Sequence, residues 1–241
     1  MFTFIKSITY IPLYNAFVLI LTIPGIDAGL AVVIFTLIIK IALYPLQKKA
    51  LLTQIRTKEI EPEIKKIKTQ IKDIKEQGQA IMKLYKEKKV NPLSSLFILL
   101  IQLPILFSLY HIFSSGALSH IDSGLLYSFV HPKEFISTTF LGLFDVTQKN
   151  IIVAVIAAIS QFIQAQFQPM LMGSDSNERS FQNDLARSMN VQMKYVFPVI
   201  IFFITVGLPS VISLYFITSN IFMIFQELAL RPHRKKLTTT K

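Results

Sequence analysis

The sequence predicts an all-α integral membrane protein: five transmembrane helices with the N-terminus outside and the C-terminus inside, a cytoplasmic helical hairpin, and an N-terminal interfacial helix. Three observations carry this expectation. The 241 residues are 52% hydrophobic and only 16% charged, whereas soluble domains carry roughly a quarter charged residues, so too little polar surface exists to cover a globule in water. The apolar residues gather in runs approaching the roughly 20 that cross about 30 Å of hydrocarbon as helix. The basic residues gather in alternate loops, as chains do that retain Lys and Arg on the cytoplasmic side.

The elements follow in order. Residues 1–27 are apolar and could form a transmembrane helix or an uncleaved signal, but Lys6, Tyr10, Pro12, Tyr14 and Asn15 interrupt them, and a helix lying in the interface, the preferred reading, tolerates these better than one in hydrocarbon. Pro24-Gly25 breaks the chain, and Asp27 is placed to cap the first span, 28–46, which reads AGLAVVIFTLIIKIALYPL. Residues 47–92 form the one strongly polar region, with thirteen Lys/Arg against six acids. Within it Ile60, Ile64, Ile67, Ile71 and Ile74 repeat at 4-3-4-3, the seam of a coiled-coil-like helix. Gly78 is expected to stop that helix, and a second arm then presents Ile81, Leu84, Tyr85 and Lys88 on one face. The second span is 93–113, with Gln102, Pro104 and Ser108 within it, followed by an external loop, 114–149. The third span, 150–169, carries Ser160, Gln161, Gln164 and Gln166. A cytoplasmic loop, 170–194, leads to a helical pair broken at Gly207-Leu208-Pro209: spans 195–208 and 209–230. The tail, 231–241, is basic.

Orientation follows from the charge. The hairpin, the 170–194 loop (Arg179, Arg187, Lys194) and the tail (Arg231, Arg234, Lys235, Lys236, Lys241) hold most of the positive residues. All of them fall on one side only with five spans, N-out and C-in. The net charge of +11 then faces the cytoplasm and anionic lipid rather than specific DNA.

Several chemistries are excluded or disfavoured. No cysteine is present, which removes disulfides, iron–sulfur ligation and thiol catalysis. His111, His120, His131 and His233 form no ligand pair, and no phosphate loop, HExxH or GxSxG motif occurs. Neither a cofactor, a metal site nor an enzyme is expected. Ser108, Ser160 and Ser213 have no base at comparable depth.

One charge interrupts the first span. Lys40 lies six residues before Leu46, about 9 Å of helix. Two readings stand: its stem snorkels to the headgroups, or it points into a water-filled cavity, where intramembrane ionisable groups usually mark a pathway. Thr36 lies one turn earlier on the same face. Gln161, Gln164 and Gln168 share a face, as do Ser213 and Asn220, and Gln102 lies in the second span. Singly these groups read as interhelical hydrogen bonding; together with Lys40 they suggest a wet cavity.

The blocks KIALYPLQKKALL, EPEIKKIK, MKLYKEKKVNPLSSLFILLIQLPILFSLY and MKYVFPVIIFFITVGLPSVISLYFITSNIFMIFQ resemble the YidC/Oxa/Alb family of membrane protein insertases, from about Pro12 to Gln226. The most specific pieces are Asn91-Pro92 with Gln102-Leu103-Pro104, and Leu214-Tyr215 with Ser219-Asn220 and Gln226. The resemblance implies a hydrophilic groove, open to cytoplasm and lipid and closed outside, that takes polar segments of nascent membrane proteins part-way across without an ATPase. It implies Lys40 and Phe216 as groove positions, and with the polar groups read above the expected groove residues are Thr36, Lys40, Gln102, Gln161, Gln164, Phe216 and Asn220. Its implied partners are nascent membrane proteins, the ribosome, the Sec translocon and anionic lipids, with Arg231, Arg234, Lys235 and Lys236 as the ribosome or lipid contact. The family usually has arginine where Lys40 stands and often tryptophan where Phe216 stands. With no transit peptide visible, the expected location is a bacterial plasma (inner) membrane. The competing reading is a small transporter or channel with Lys40 in its pathway, although no repeated halves with matching broken helices occur. A scaffold that only recruits ribosomes would explain the hairpin and tail but not the polar groups within the spans.

Overall fold

The computed structural model describes residues 9–90, 104–105, 107–113, 121–133, 136–167, 188 and 191–239. Helix α1, Ile11–Leu21, opens at Pro12, where the missing N–H costs nothing because the first-turn donors have no helical acceptor. It packs against α2, Ala28–Glu59. Tyr14 and Asn15, polar interruptions in the sequence, face inward. Asn15 Nδ2 donates to the Leu125 carbonyl at 2.8 Å, its Oδ1 accepts from the Tyr127 N–H, and Tyr14 Oη accepts from the Asp122 N–H. The hydrogen bonds that would be missing in lipid are made with the loop.

Asp27 caps α2 as expected, accepting from the Leu30 N–H at 2.8 Å. The helix does not end near 46. It continues through Pro45 to Glu59, so the expected first span and the start of the polar region are one rod of about 48 Å.

The hairpin departs from expectation at its turn. Its arms are α3, Glu61–Gln70, and α4, Ile74–Glu87, so Gly78 lies inside the second arm. The break comes at 71–73, where Asp73 Oδ1 accepts from the Lys75 and Glu76 N–H groups while Gln77 Nε2 donates to the Lys68 and Ile71 carbonyls. These caps satisfy groups that a helix end otherwise orphans, and they outweigh the roughly 1 kcal/mol that glycine costs inside a helix. The isoleucine seam works over its first half: Ile60 and Ile64 are buried with Leu84 and Val90, against Ile67, Ile81 and Tyr85. Ile74, at the start of α4, is exposed. Lys88 pairs with Glu63 at 2.7 Å across the arms.

The remaining helices are α5, Ile151–Phe167, capped by Asn150; α6, Phe197–Gly207, entered through a π-helical turn Gln192–Val196; and α7, Ser210–Thr239. Helix α7 lies against both α2 and α5, and α6 packs chiefly on α5 rather than on α7, its successor in the chain. Among the described residues two stretches are long and apolar enough to cross a membrane, Ala28–Ala50 and Ser210–Leu230, beside three shorter apolar helices. The expected second span falls largely outside the described residues; of its helical stretch 107–113, Leu109 and Ile112 are fully buried in the main core with Phe17, Val32, Phe35 and Val211.

At the opposite end from the α3–α4 hairpin, strands β1, Thr139–Phe140, and β2, Phe144–Asp145, pair antiparallel. They clasp two helix starts. The Ala28 N–H donates to the Ser137 carbonyl, the Ser210 N–H to that of Gln148, and the Val211 N–H to that of Val146. The Phe140 ring lies where a Cβ on Gly29 would stand, 2.5 Å from Cδ2, so only glycine admits that close approach.

A polar seam between three helices as the candidate functional site

Outside the apolar main core, exposed and buried side chains depart from the soluble pattern. Ile151, Ile152, Ile156, Ile159 on α5 and Val199, Phe203 on α6 are exposed, whereas Gln161 and Gln164 are buried. So broad an apolar surface marks a membrane or partner interface, and here it surrounds polar side chains.

Each helix supplies those side chains from one stripe. On α2, Thr36, Lys40 and Gln47 follow at i, i+4 and i+11 and are all buried; on α7, Ser213, Asn220 and Glu227 repeat every seven residues and are buried, with Gln226 beside them. Most hydroxyls bond back to their own helix, Thr36 Oγ1 to the Val32 carbonyl at 2.7 Å and Thr218 Oγ1 to that of Leu214 at 2.9 Å. Between helices, Asn220 Nδ2 donates to Ser160 Oγ at 2.9 Å, and Gln161 Nε2 donates to Gln164 Oε1 at 3.2 Å within α5.

The seam is under-satisfied. Gln47 Oε1, Ser213 Oγ and Gln226 Oε1 are buried and find no partner among the described residues. Lys40 is 3% exposed, and no hydrogen bond or ion pair to its ammonium occurs among the described residues. A buried charge is costly unless paired or hydrated, so Lys40 and these orphaned oxygens leave the described interior with uncompensated polar groups.

The expected site residues divide as follows. Thr36 and Lys40 on α2, Gln161 and Gln164 on α5, and Asn220 on α7 are buried on three packed helices, with Asn220 and Ser160 in direct contact. Phe216 is half-buried beside the main core, its ring 5.5 Å from that of Tyr215. Gln102 and Gln168 lie outside the described residues. Arg231, Arg234, Lys235 and Lys236 continue α7, and their side chains lie outside the described set. Sequence reasoning missed Gln47 and Glu227. The signal was present as spacing: 47 follows 40, and 227 follows 220, by seven residues. Among the described residues no group of three or more His, Asp or Glu side chains could hold a metal ion.

A helical bundle with apolar residues outside and a line of polar ones inside is an integral membrane protein built around a polar seam. Its sequence matches the 60Kd inner membrane protein family over residues 20–237, and the chain belongs to that family. It is 30% identical to the "Membrane protein insertase YidC" of Clostridium tetani over 92% of this chain and 90% of that protein. It is 32% identical to the protein of the same name in Fusobacterium nucleatum, over 83% of each, and 31% identical to "Membrane protein insertase YidC 1" of Lactococcus lactis, over 84% of this chain and 67% of that one. The resemblance to the YidC/Oxa/Alb insertases is thereby borne out. The relatives' names describe insertion, not a catalysed covalent reaction.

Proposed function

We propose that this protein is a membrane protein insertase that draws polar segments of nascent membrane proteins into a groove along the α2–α5–α7 seam and releases their hydrophobic segments into lipid. The observation that carries the reading is Lys40, a buried cation without a partner among the described residues, on a helix packed against α7 and its stripe of Ser213, Asn220 and Glu227. Each unsatisfied polar group costs several kcal/mol in hydrocarbon. A wetted seam shortens the dry distance, and Lys40 attracts an acidic tail into it. Partition of the substrate's apolar segment into lipid then drives completion, with no nucleotide hydrolysis.

In this reading the chain spans a bacterial plasma membrane five times, N-out and C-in, and the α3–α4 hairpin and basic tail face the cytoplasm. There Arg231, Arg234, Lys235 and Lys236 meet the ribosome or anionic lipid, and the Sec translocon is a partner for larger substrates. The β1–β2 clasp, tying the starts of α2 and α7, closes the seam on the outside. The test is reconstitution of the pure protein into liposomes, scoring insertion of a single-span substrate against leakage of a small solute. Insertion without leakage is expected. Solute flux without insertion would replace the insertase reading with the channel reading.

A further inference from the structure

The β1–β2 hairpin ends in a turn that is poorly made for water. Its central residues, Leu141 and Gly142, have φ of 47° and 75°, and the Leu143 N–H closes the turn on the Phe140 carbonyl at 2.8 Å. A turn with both central φ values positive is usually built from Asn, Asp or Gly, because a Cβ crowds the backbone there. A leucine takes the first position, and Leu141 and Leu143 are 61% and 75% exposed. In water this turn would carry both an unfavourable backbone conformation and two bare apolar side chains.

The hydrogen bonds set its depth. The Leu141 N–H donates at 3.1 Å to Asp27 Oδ2, the same carboxylate whose other oxygen caps the first turn of α2. Phe140 lies on Gly29, already inside the apolar stretch Ala28–Ala50. On the other flank the Asp145 carbonyl of β2 accepts from the Ser210 hydroxyl, and the Val146 and Gln148 carbonyls, just after the strand, accept from the N–H groups of Val211 and Ser210, the first residues of the apolar stretch Ser210–Leu230. The turn therefore sits level with the rim where both long apolar helices begin. Ile151 and Ile152, exposed on the first turn of α5, continue the same apolar belt. The two carboxylates beside the turn are both engaged: Asp27 accepts from the Leu141 and Leu30 N–H groups and Asp145 from the Thr147 N–H and hydroxyl.

From this we infer that Leu141 and Leu143 are a membrane anchor: the tip dips into the outer leaflet of the phospholipid bilayer, among the acyl carbons just below the headgroups, and steadies the clasp that holds the starts of α2 and α7. The inference rests on the orientation proposed above, with those starts on the outer side. Lipid, not a second copy of the chain, is the occupant, because the leucines stand at the depth where the apolar stretches of α2 and α7 begin.

The chain has no cysteine, so L141C, L143C and, as a reference, S123C each give one attachment point for an environment-sensitive fluorophore. The labelled proteins are reconstituted into vesicles of phosphatidylethanolamine and phosphatidylglycerol carrying a nitroxide either near the headgroup or at the chain end. Probes at 141 and 143 should emit to the blue of the probe at 123 and lose fluorescence to the shallow nitroxide more than to the deep one. Water-like emission with no loss to either nitroxide would overturn the anchor. So would blue emission untouched by both, the signature of a protein neighbour on the tip. In parallel, an impermeant thiol reagent added outside intact cells should label S123C. Labelling of S123C only from inside would sink the orientation itself, and the outer-leaflet assignment with it, whatever the quenching result.

Discussion

Lys40 concentrates the functional question in one side chain. As a groove cation its charge is what matters, so Lys40→Arg should retain insertion, Lys40→Gln should slow substrates with acidic translocated tails, and Lys40→Glu should be worse by repulsion. Paired substrates differing only in acidic or neutral tails provide the measurement, and equal rates for all three variants would return Lys40 to a snorkelling role. Gly29 poses a question of packing alone. Its missing Cβ is what lets Phe140 approach, and Gly29→Val should destabilise the protein by about 1–3 kcal/mol, as over-packing does. Gly207, where an added methyl group would meet nothing within 4 Å, is the control: Gly207→Ala should lower the melting temperature in detergent much less.

Among the elements, the α3–α4 hairpin has its own small core and depends on its turn for shape. Asp73→Ala removes the acceptor for the Lys75 and Glu76 N–H groups and should cost about 1 kcal/mol, visible as faster amide exchange at the start of α4. Breaking the Lys88–Glu63 pair should cost less than about 1 kcal/mol, because both side chains are some two-fifths exposed. The outer β-hairpin responds to pH instead. Burial pushes the Asp145 carboxyl up, but hydrogen bonds from the Thr147 hydroxyl and N–H and from the Thr138 hydroxyl outweigh it and hold the group below its ordinary value of 3.8. A depressed folded value means stability fully present above pH 3.8 and lost as pH falls through the lower folded value. Thermal stability in detergent should therefore fall in that acid window, and Asp145→Asn should be less stable at neutral pH and lose less on acidification.

For the whole molecule, the decisive property is which side of the membrane each charged region meets. If the basic tail contacts ribosomal RNA or anionic lipid, association should weaken steeply with salt, since each phosphate contact releases a counterion. Removal of residues 231–241 should reduce co-sedimentation with ribosomes while the helices packed around α7 keep their melting temperature. Binding that is insensitive to both salt and truncation would remove the tail from that role.

The sequence by itself determined the class of protein and some of its local boundaries, because these rest on local quantities. The composition, the apolar run at Ile151–Phe167, the cap at Asp27 and the break at Gly207–Pro209 can each be read within a few residues, and the motifs around Asn220 already pointed to the family. It also singled out Lys40, since a lone cation in an apolar run is conspicuous anywhere. Only the tertiary structure decided what required distant segments to meet. The contact of Asn220 with Ser160 spans 60 residues; the burial of Tyr14 and Asn15 depends on a loop more than a hundred residues later; and the clasp joins Asp27 to Leu141. The turn at Asp73 was misread in part for a related reason. Glycine is a weak local signal; the Asp73 cap that overrode it is itself local, and only the Gln77 bonds to the Lys68 and Ile71 carbonyls depend on the two arms folding back on each other.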